Sequence, residues 1–265
     1  MPSSIVPSSV FCLLLLSLAA CDTQPGSADG EAEGGGAPIL GSVGSSSSGG
    51  STSEGSSSSG SGTGSGSGGA SVELEPCAPY AHEVVEVSYG PDAGWGQDSM
   101  PGIVLGPPRG AGLVSGSLDV LALGNGGSIT LGFGALTIVD GEGPDLIVFE
   151  NPFYAGGDPA HPFAELATVE LSADGETWHA FDCSATSYPY GSCAGWNPVL
   201  ANVDENELDP TDPLVAGGEA FDLADLGIGE ARFVRIVDRP DTIGLAGSFD
   251  LDAVALVHAS CNTGG

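Results

Sequence analysis

The sequence predicts an all-β fold, and three observations indicate it. Downstream of residue 77, short apolar or alternating runs recur between Gly, Pro, Asp and Asn. Residues 123–128, LGNGGS, have the composition of a tight hairpin turn. The best helical segment, residues 219–226, is long enough for about two turns at most. We therefore expect a β-sandwich, most simply a jelly roll, over residues 72–265.

The individual strands follow from the same pattern. In the first run, Val85, Val87 and Tyr89 alternate with Glu86 and Ser88, as in a strand with one wet face. Each later run is apolar or alternating and is bounded by turn-forming residues. The predicted strands, in chain order, are residues 83–89, 117–123, 128–133, 145–150, 167–171, 177–181, 231–237 and 249–257.

The N-terminus has the layout of a bacterial export signal. An apolar run, residues 10–18, leads into Ala19-Ala20-Cys21, and polar, glycine-rich sequence follows. This layout resembles a lipoprotein signal peptide, residues 1–20, with lipidation on the thiol of Cys21. The run is too short to span a bilayer. Because residues 1–9 contain no Lys or Arg, an ordinary cleaved secretion signal is the alternative.

The chain is exported under both interpretations of the N-terminus, and as a lipoprotein it is also anchored in the cell envelope. We expect the outer membrane or the cell surface, with the lipid as the contact to the membrane. Asp22, which follows the lipidation site, resembles an inner-membrane retention signal of some bacteria. The choice between the two membranes therefore stays open.

Residues 21–71 are predicted to be a disordered linker. Between residues 41 and 70 there are 11 Gly and 14 Ser. Such a segment has too little apolar surface to offset the entropy lost on ordering. A leash that holds a folded domain away from a membrane is one interpretation, and an inert spacer or glycosylated stalk is the other.

The charge balance is strongly acidic. The chain holds 35 Asp and Glu against four Arg and no Lys, which gives a formal net charge of −31 at pH 7. Nucleic acids and anionic headgroups require a cationic surface, so neither is expected as a partner. The acidity permits divalent cations, and a solvated surface adapted to salt is the alternative explanation.

Four cysteines remain downstream of the predicted signal and lipidation site. An even number of cysteines in an exported domain indicates disulfides, and four cysteines allow three pairings. The sequence favours Cys183–Cys193, which closes a short loop, and Cys77–Cys261, which joins the two ends of the domain. No C-x-x-C spacing or neighbouring histidine indicates zinc.

Two segments, VELSADGETW at residues 169–178 and ARFVRI at residues 231–236, have patterns found in a known family. They resemble the discoidin, or coagulation-factor C-type, branch of the galactose-binding-like jelly rolls. Residues 169–178, VELSADGETW, are similar to that family's strand, Ser-x-Asp-Gly turn and Thr-Trp return strand. Residues 231–236, ARFVRI, are similar to its late Arg-aromatic-Val-Arg strand. In this interpretation Asp174-Gly175 forms the hairpin turn and Trp178 anchors the core. The paired terminal cysteines are similar as well.

Two further segments depart from discoidin domains. Residues 121–133 and 141–153 resemble a group of uncharacterised bacterial cell-surface proteins. This resemblance implies a surface location and no particular activity.

The resemblance also implies a structural calcium near the chain ends, which involves the last strand. Calcium takes roughly six to eight oxygen ligands. Asp250 and Asp252 flank Leu251, so both are expected on one face of that strand. Asp92 and Asp98 lie in a loop near the first strand. The alternative is that the two late aspartates face solvent or pair with an arginine.

A second candidate metal cluster consists of Asp140, Asp145 and Glu150. It lacks the Asp/Asn spacing and the sixth-position Gly of an EF-hand loop. A solvated acidic loop is the alternative.

A loop rich in aromatic residues is the candidate ligand site. Tyr188 and Tyr190 lie within the loop that the predicted short disulfide closes, and Trp196 follows it; this bond would reduce the entropy lost on binding. Tyr154 and Trp95 lie in other glycine-rich loops. The alternative is that these rings cap the ends of the sandwich as part of the core.

The sequence predicts a binding protein and no enzyme. The chain contains no H-E-x-x-H motif and no G-x-S-x-G nucleophile elbow. We expect a lipid-anchored surface protein that recognises a glycan or a surface protein and is stabilised by calcium. A structural envelope protein without a soluble ligand is the first alternative, and a hydrolase of surface polysaccharide is the second.

Overall fold

A computed structural model of the chain describes residues 74–240 and 247–264. The predicted signal peptide 1–20, Cys21 and the linker 21–71 lie outside these residues. The strands of the described residues are β1 (Glu83–Ser88), β2 (Leu121–Ala122), β3 (Ser128–Gly132), β4 (Leu136–Val139), β5 (Leu146–Phe149), β6 (Phe153–Tyr154), β7 (Pro162–Phe163), β8 (Ala167–Ser172), β9 (His179–Ala180), β10 (Glu219–Phe221), β11 (Glu230–Ala231), β12 (Phe233–Asp238), β13 (Asp250–Leu251), β14 (Ala253–Leu256) and β15 (Ala259–Cys261).

One side of the molecule is a five-stranded antiparallel sheet with the order β1-β3-β12-β8-β9. Residues of β12 alternate between half-buried and buried, as expected for a strand with one face on the core. In this register Val234 pairs with Leu131 on one side and Leu171 on the other, and all three are fully buried. Their branched side chains form the inner face of the sheet.

A three-stranded antiparallel sheet, β10-β5-β14, contributes the opposing residues of the core. All four residues of β5 are buried, and they alternate between two clusters. Leu146 and Val148 join the main core, whereas Ile147 and Phe149 pack in a second cluster. Both faces of β5 are therefore covered. Smaller ladders, β11-β4-β15, β13-β2 and β6-β7, complete the described strands.

The main core contains residues from both the five-stranded and the three-stranded sheet. Phe133, Val169 and Ile236 are buried in the same cluster as Phe221 and Val254. Two sheets that share one apolar interior are a β-sandwich. The all-β prediction is thus confirmed, and the helices of the described residues are short 3-10 turns: Gln97–Ser99, Gly102–Val104, Ala155–Gly157 and Leu223–Leu226.

Each of the predicted strand runs contains at least one observed strand, but their lengths differ. The run 117–123 is reduced to β2, because residues 117–120 form a turn before the strand. The run 249–257 is divided at Asp252, where β13 ends and β14 begins. The segment with the most helical character in the sequence, residues 219–226, is β10 followed by a 3-10 turn. Burial of Phe221 against the core favours the extended conformation there.

The hairpin after β8 is present, but Trp178 is not a core anchor. Asp174 caps the turn by accepting hydrogen bonds from the backbone N–H groups of Glu176 and Thr177 at 2.8 and 2.7 Å. The Trp178 ring is half-buried, and the Arg235 guanidinium lies 4.0 Å from its centroid. The prediction was wrong because the indole covers a charged residue on the outer face of the sheet.

Both predicted disulfides are confirmed. Cys77 and Cys261 join the two ends of the domain, with their Cα atoms 5.8 Å apart. Cys183 and Cys193 close the short loop, with Cα atoms 4.5 Å apart. Among the described residues, no helix has the length and apolar character needed to cross a membrane.

Candidate functional site

The predicted aromatic loop forms a compact cluster of three rings. Tyr188, Tyr190 and Trp196 meet edge to face, with ring centroids 5.6 to 6.4 Å apart. Tyr190 is buried with the disulfide Cys183–Cys193 in a small core of its own. Tyr188 is 41% exposed. Edge-to-face packing stabilises the loop, and it leaves Tyr188 as the ring most open to a ligand.

The Glu219 side chain anchors the backbone of this loop through hydrogen bonds. Its buried carboxylate accepts hydrogen bonds from the backbone N–H groups of Gly195 at 2.9 Å and Trp196 at 2.8 Å, and from that of Asn197. The indole N–H of Trp196 donates to the carbonyl oxygen of Cys193 at 2.9 Å. Burial raises the pKa of Glu219 to about 7, although the three N–H donors oppose that shift.

The four aspartates of the first predicted metal site are not gathered in one place. Asp92 accepts a hydrogen bond from the Asn125 side chain at 2.8 Å, and Asp98 lines a surface cavity beside Trp95. Asp252 is 2% exposed, and both its oxygens accept from the backbone N–H of Arg109. Asp250 lies elsewhere, in a group of three carboxylates.

Asp250 and Asp252 separate because the strand does not continue through them. β13 pairs with β2, whereas β14 pairs with β5, and Asp252 lies between the two strands. The alternation that places residues i and i+2 on one face therefore does not apply.

The second predicted cluster is likewise divided. Asp140 and Asp145 group with Asp222. Asp145 is fully buried and saturated, since it accepts hydrogen bonds from the backbone N–H groups of Gly141 and Leu223 and contacts the His258 ring. Glu150 lies beyond the opposite end of β5, and a strand rises about 3.3 Å per residue. One ion therefore cannot bridge Asp145 and Glu150.

Glu150, Glu165 and Asp250 form the acidic group that sequence spacing missed. One carboxylate oxygen of each lies within 4.8 Å of the others. Burial, reinforced by the charges of Glu165 and Asp250, raises the pKa of Glu150 well above its usual value. Burial and the charge of Asp250 raise the pKa of Glu165 to about 8, and burial raises that of Asp250 to about 6.

A surface groove runs beside an exposed tryptophan. The Trp95 side chain is 53% exposed, and its indole N–H donates to the carbonyl oxygen of Leu118 at 2.9 Å. Its own carbonyl accepts from the backbone N–H of Ala122 at 3.2 Å. Gly96 turns the loop with φ +78°, and a Cβ there would overlap the carbonyl oxygen of Val120. The indole is thus held in one orientation.

Two adjoining cavities make up this groove. The first, about 320 Å³, is lined by Trp95, Asp98 and Ser99, and it shares Leu118 and Asp119 with the second. The second is about 390 Å³. Its polar lining residues are Arg109, Ser117, Asp119, Asn202, Asp204 and Glu205.

Arg109 organises the second half of the groove. Its guanidinium donates from Nε to Asp204 at 2.8 Å and from Nη1 to Asp119 at 3.2 Å. The hydrogen bond with Asp204 raises the pKa of Arg109, so this side chain stays charged. The Arg109 guanidinium is a hydrogen-bond donor between two acceptors, the carboxylates of Asp119 and Asp204, and all three line the groove.

Comparison with known proteins does not assign a family. No family model matches the chain, and no curated protein matches it. A solved structure titled "Glycoside hydrolase" is similar at 11% identity and a TM-score of 0.27. The similarity covers 53% of this chain and 22% of that one, so the chain spans under a quarter of that structure's length. A likeness this weak carries no argument about function.

Proposed function

We propose that this is a lipid-anchored envelope protein whose β-sandwich binds a neutral glycan in the groove beside Trp95. The observation that supports this most is the exposed indole, which is fixed by its bond to Leu118 at one end of a polar groove. The envelope location rests on the lipoprotein-like sequence that ends at Cys21. The resemblance to galactose-binding-like jelly rolls is consistent with this role.

The groove offers the chemistry that a pyranose ring requires. An indole face provides an apolar platform for the ring's C–H groups. Asp98 and Asp119 can accept hydrogen bonds from adjacent hydroxyl groups, and the Arg109 guanidinium donates. Because the chain carries a net charge of −31, a neutral glycan fits it better than an acidic one.

Binding is tested with the full chain, purified in detergent, on an array of neutral and acidic glycans. Trp95→Ala should reduce the affinity for any retained glycan at least tenfold. Trp178→Ala is the matched control, because that indole is half-buried over Arg235 and does not line the groove. Retention of no glycan by the wild type, or equal binding by Trp95→Ala, contradicts the proposal.

A hydrolase of surface polysaccharide is the second candidate, because Asp98 and Asp119 both line the first cavity. Glycosidases use two carboxylates across the bond that they cleave. The glycans that bind are incubated with the chain, and new reducing ends are measured. If the wild type produces new reducing ends and Asp98→Asn and Asp119→Asn do not, the hydrolase is supported. If the wild type leaves the glycan intact, binding alone is supported.

The anchor is tested separately. Metabolic labelling with a fatty acid should label the wild-type chain and leave Cys21→Ser unlabelled. Cys12→Ser, which changes the other cysteine of the N-terminal segment, is the control and should remain labelled. An unlabelled wild-type chain would favour an ordinary cleaved signal.

A further inference from the structure

One buried side-chain nitrogen or oxygen atom in the described residues has no hydrogen-bond partner, and it belongs to Glu150. This side chain is 1% exposed, and its Oε2 atom is unpartnered. The other oxygen, Oε1, accepts from the backbone N–H of Asp250 at 3.3 Å. A buried carboxylate oxygen without a partner is costly, so its retention requires an explanation.

Glu165 and Asp250 bring two more carboxylates to the same point. Glu165 is 9% exposed and lies against Gly247, where a Cβ atom would overlap its Oε1. The three residues come from the end of β5, the segment between β7 and β8, and the start of β13. Three segments that are distant in sequence therefore direct carboxylates at one position.

The group has the composition and size of a calcium site. Carboxylates are hard oxygen ligands, which suit Ca²⁺, Mg²⁺ or Mn²⁺ and not the sulfur- and imidazole-seeking metals. Two oxygens on opposite sides of one calcium can be about 5 Å apart, twice a Ca–O bond of roughly 2.4 Å. The ligand oxygens here all lie within 4.8 Å of one another. A Mg²⁺ ion needs near-ideal octahedral geometry, which three flexible carboxylates do not impose.

We propose that Glu150, Glu165 and Asp250 bind one calcium ion, with the unpartnered Oε2 atom of Glu150 as a ligand. The ion compensates three partly or fully buried negative charges that repel one another. Water would complete the coordination. The site differs from both clusters expected from sequence spacing, and it does not depend on glycan binding, since none of its ligands lines the Trp95 groove.

The test is a thermal melt of the full chain in detergent, with calcium against chelator at fixed ionic strength. A ligand that binds only the native state at a hundredfold excess over its Kd raises Tm by about 5–10 °C for a domain of this size. We expect this rise in the wild type and a smaller one with magnesium. Equilibrium dialysis with radioactive calcium should give one ion per chain.

Glu150→Gln distinguishes a metal ligand from a structural residue. It should lose the calcium-induced rise while its Tm in chelator equals or exceeds that of the wild type, because a neutral amide of the same size replaces a carboxyl group whose ionised form is costly to bury. Asp140→Asn is the control, since it also removes one charge, from a different acidic group, and should retain the rise. Should Glu150→Gln not fold, Glu165→Gln replaces it with the same expectation.

Three results would overturn the proposal. They are no rise in the wild type at millimolar calcium, an undiminished rise in Glu150→Gln, and an equal rise with magnesium. Trp95→Ala should keep the full calcium response, so a failure of glycan binding and a failure of the calcium site are observed separately.

Discussion

The Asp252 carboxylate accepts hydrogen bonds from the main-chain N–H of Arg109. Both carboxylate oxygens lie within hydrogen-bond distance of the Arg109 backbone N–H, at 3.1 and 2.9 Å, and Asp252 is 2% exposed. The guanidinium of Arg109 is then directed outward to Asp119 and Asp204. A buried residue between β13 and β14 thus positions the charged residue of the surface groove.

Replacing Asp252 should therefore affect both stability and binding. Asp252→Ala leaves the Arg109 N–H without an acceptor, and we expect a loss of about 2–3 kcal/mol in the free energy of unfolding. Urea denaturation measures it. Asp204→Ala, which removes an exposed partner of the same arginine, should cost under about 1 kcal/mol. Equal losses in the two variants would contradict this role of Asp252.

Stability of the metal-free chain should decrease as the pH rises. Burial raises the pKa of Glu219 to about 7, so the folded chain binds this proton more tightly than the unfolded chain does. The resulting stability is present below about pH 4 and is lost as the pH passes through 7. Melts in chelator from pH 5 to pH 8 should show a falling Tm.

Glu219→Gln is the variant that assigns this pH effect. Whatever its absolute Tm, its decrease between pH 5 and pH 8 should be smaller than that of the wild type, because the titrating group is absent. Glu176→Gln is a control at an exposed position of the β8–β9 turn, and it should keep the wild-type slope. Identical slopes in all three chains would rule out a contribution from Glu219 and leave Glu165 and Asp250, whose pKa values burial raises to about 8 and about 6.

Local residue patterns predicted the all-β class and most of the long strands, because strand and turn formation depends largely on neighbouring residues. Alternation in β12 and the glycines near residue 125 specify a strand and a turn with no knowledge of their partners. The alternation predicted for β1 was wrong, because the register shifts between Val84 and Glu86 and leaves Val85 51% exposed.

The prediction missed several strands, among them β4, the central strand of its ladder, and the edge strand β15. β15 is exposed and short, and its pairing with β4 places it beside the disulfide that Cys261 forms with Cys77. Nothing in its composition indicates a strand.

The candidate sites were only partly predictable, because their residues come together through tertiary structure. Sequence spacing grouped Asp250 with Asp252 and Glu150 with Asp145, and both pairs are separated in the fold. Glu165 had no local signal, since a single glutamate after an aromatic strand is an ordinary surface pattern. The pairing of β14 with β5 places Ala253 opposite Phe149, and Asp250 then reaches Glu150 through its backbone N–H. The sequence of one chain does not show such pairings.

The terminal disulfide should be a major source of stability. Cys77 and Cys261 are separated by 184 residues, so the bond restricts a large part of the unfolded chain. We expect Cys77→Ser/Cys261→Ser to lose about 2–5 kcal/mol in the free energy of unfolding, measured by urea denaturation. Cys183→Ser/Cys193→Ser removes a bond between residues only 10 apart in sequence and should cost less. If the loss of stability is larger for Cys183→Ser/Cys193→Ser than for Cys77→Ser/Cys261→Ser, native packing, and not the entropy of the unfolded chain, determines what each disulfide contributes.

Gly247 provides a steric test of the acidic group that leaves all its carboxylates in place. Its φ is +117°, and a Cβ atom would overlap Oε1 of Glu165. Gly247→Ala should therefore destabilise the fold by at least about 1–2 kcal/mol and displace Glu165, so that the calcium-induced rise in Tm is reduced. Gly229→Ala is the matched control, since a Cβ at residue 229 would have no neighbour within 4 Å. Should Gly247→Ala lose stability in chelator and still show the full calcium response, Glu165 would not be a ligand, and the ion would be bound by Glu150 and Asp250 without it.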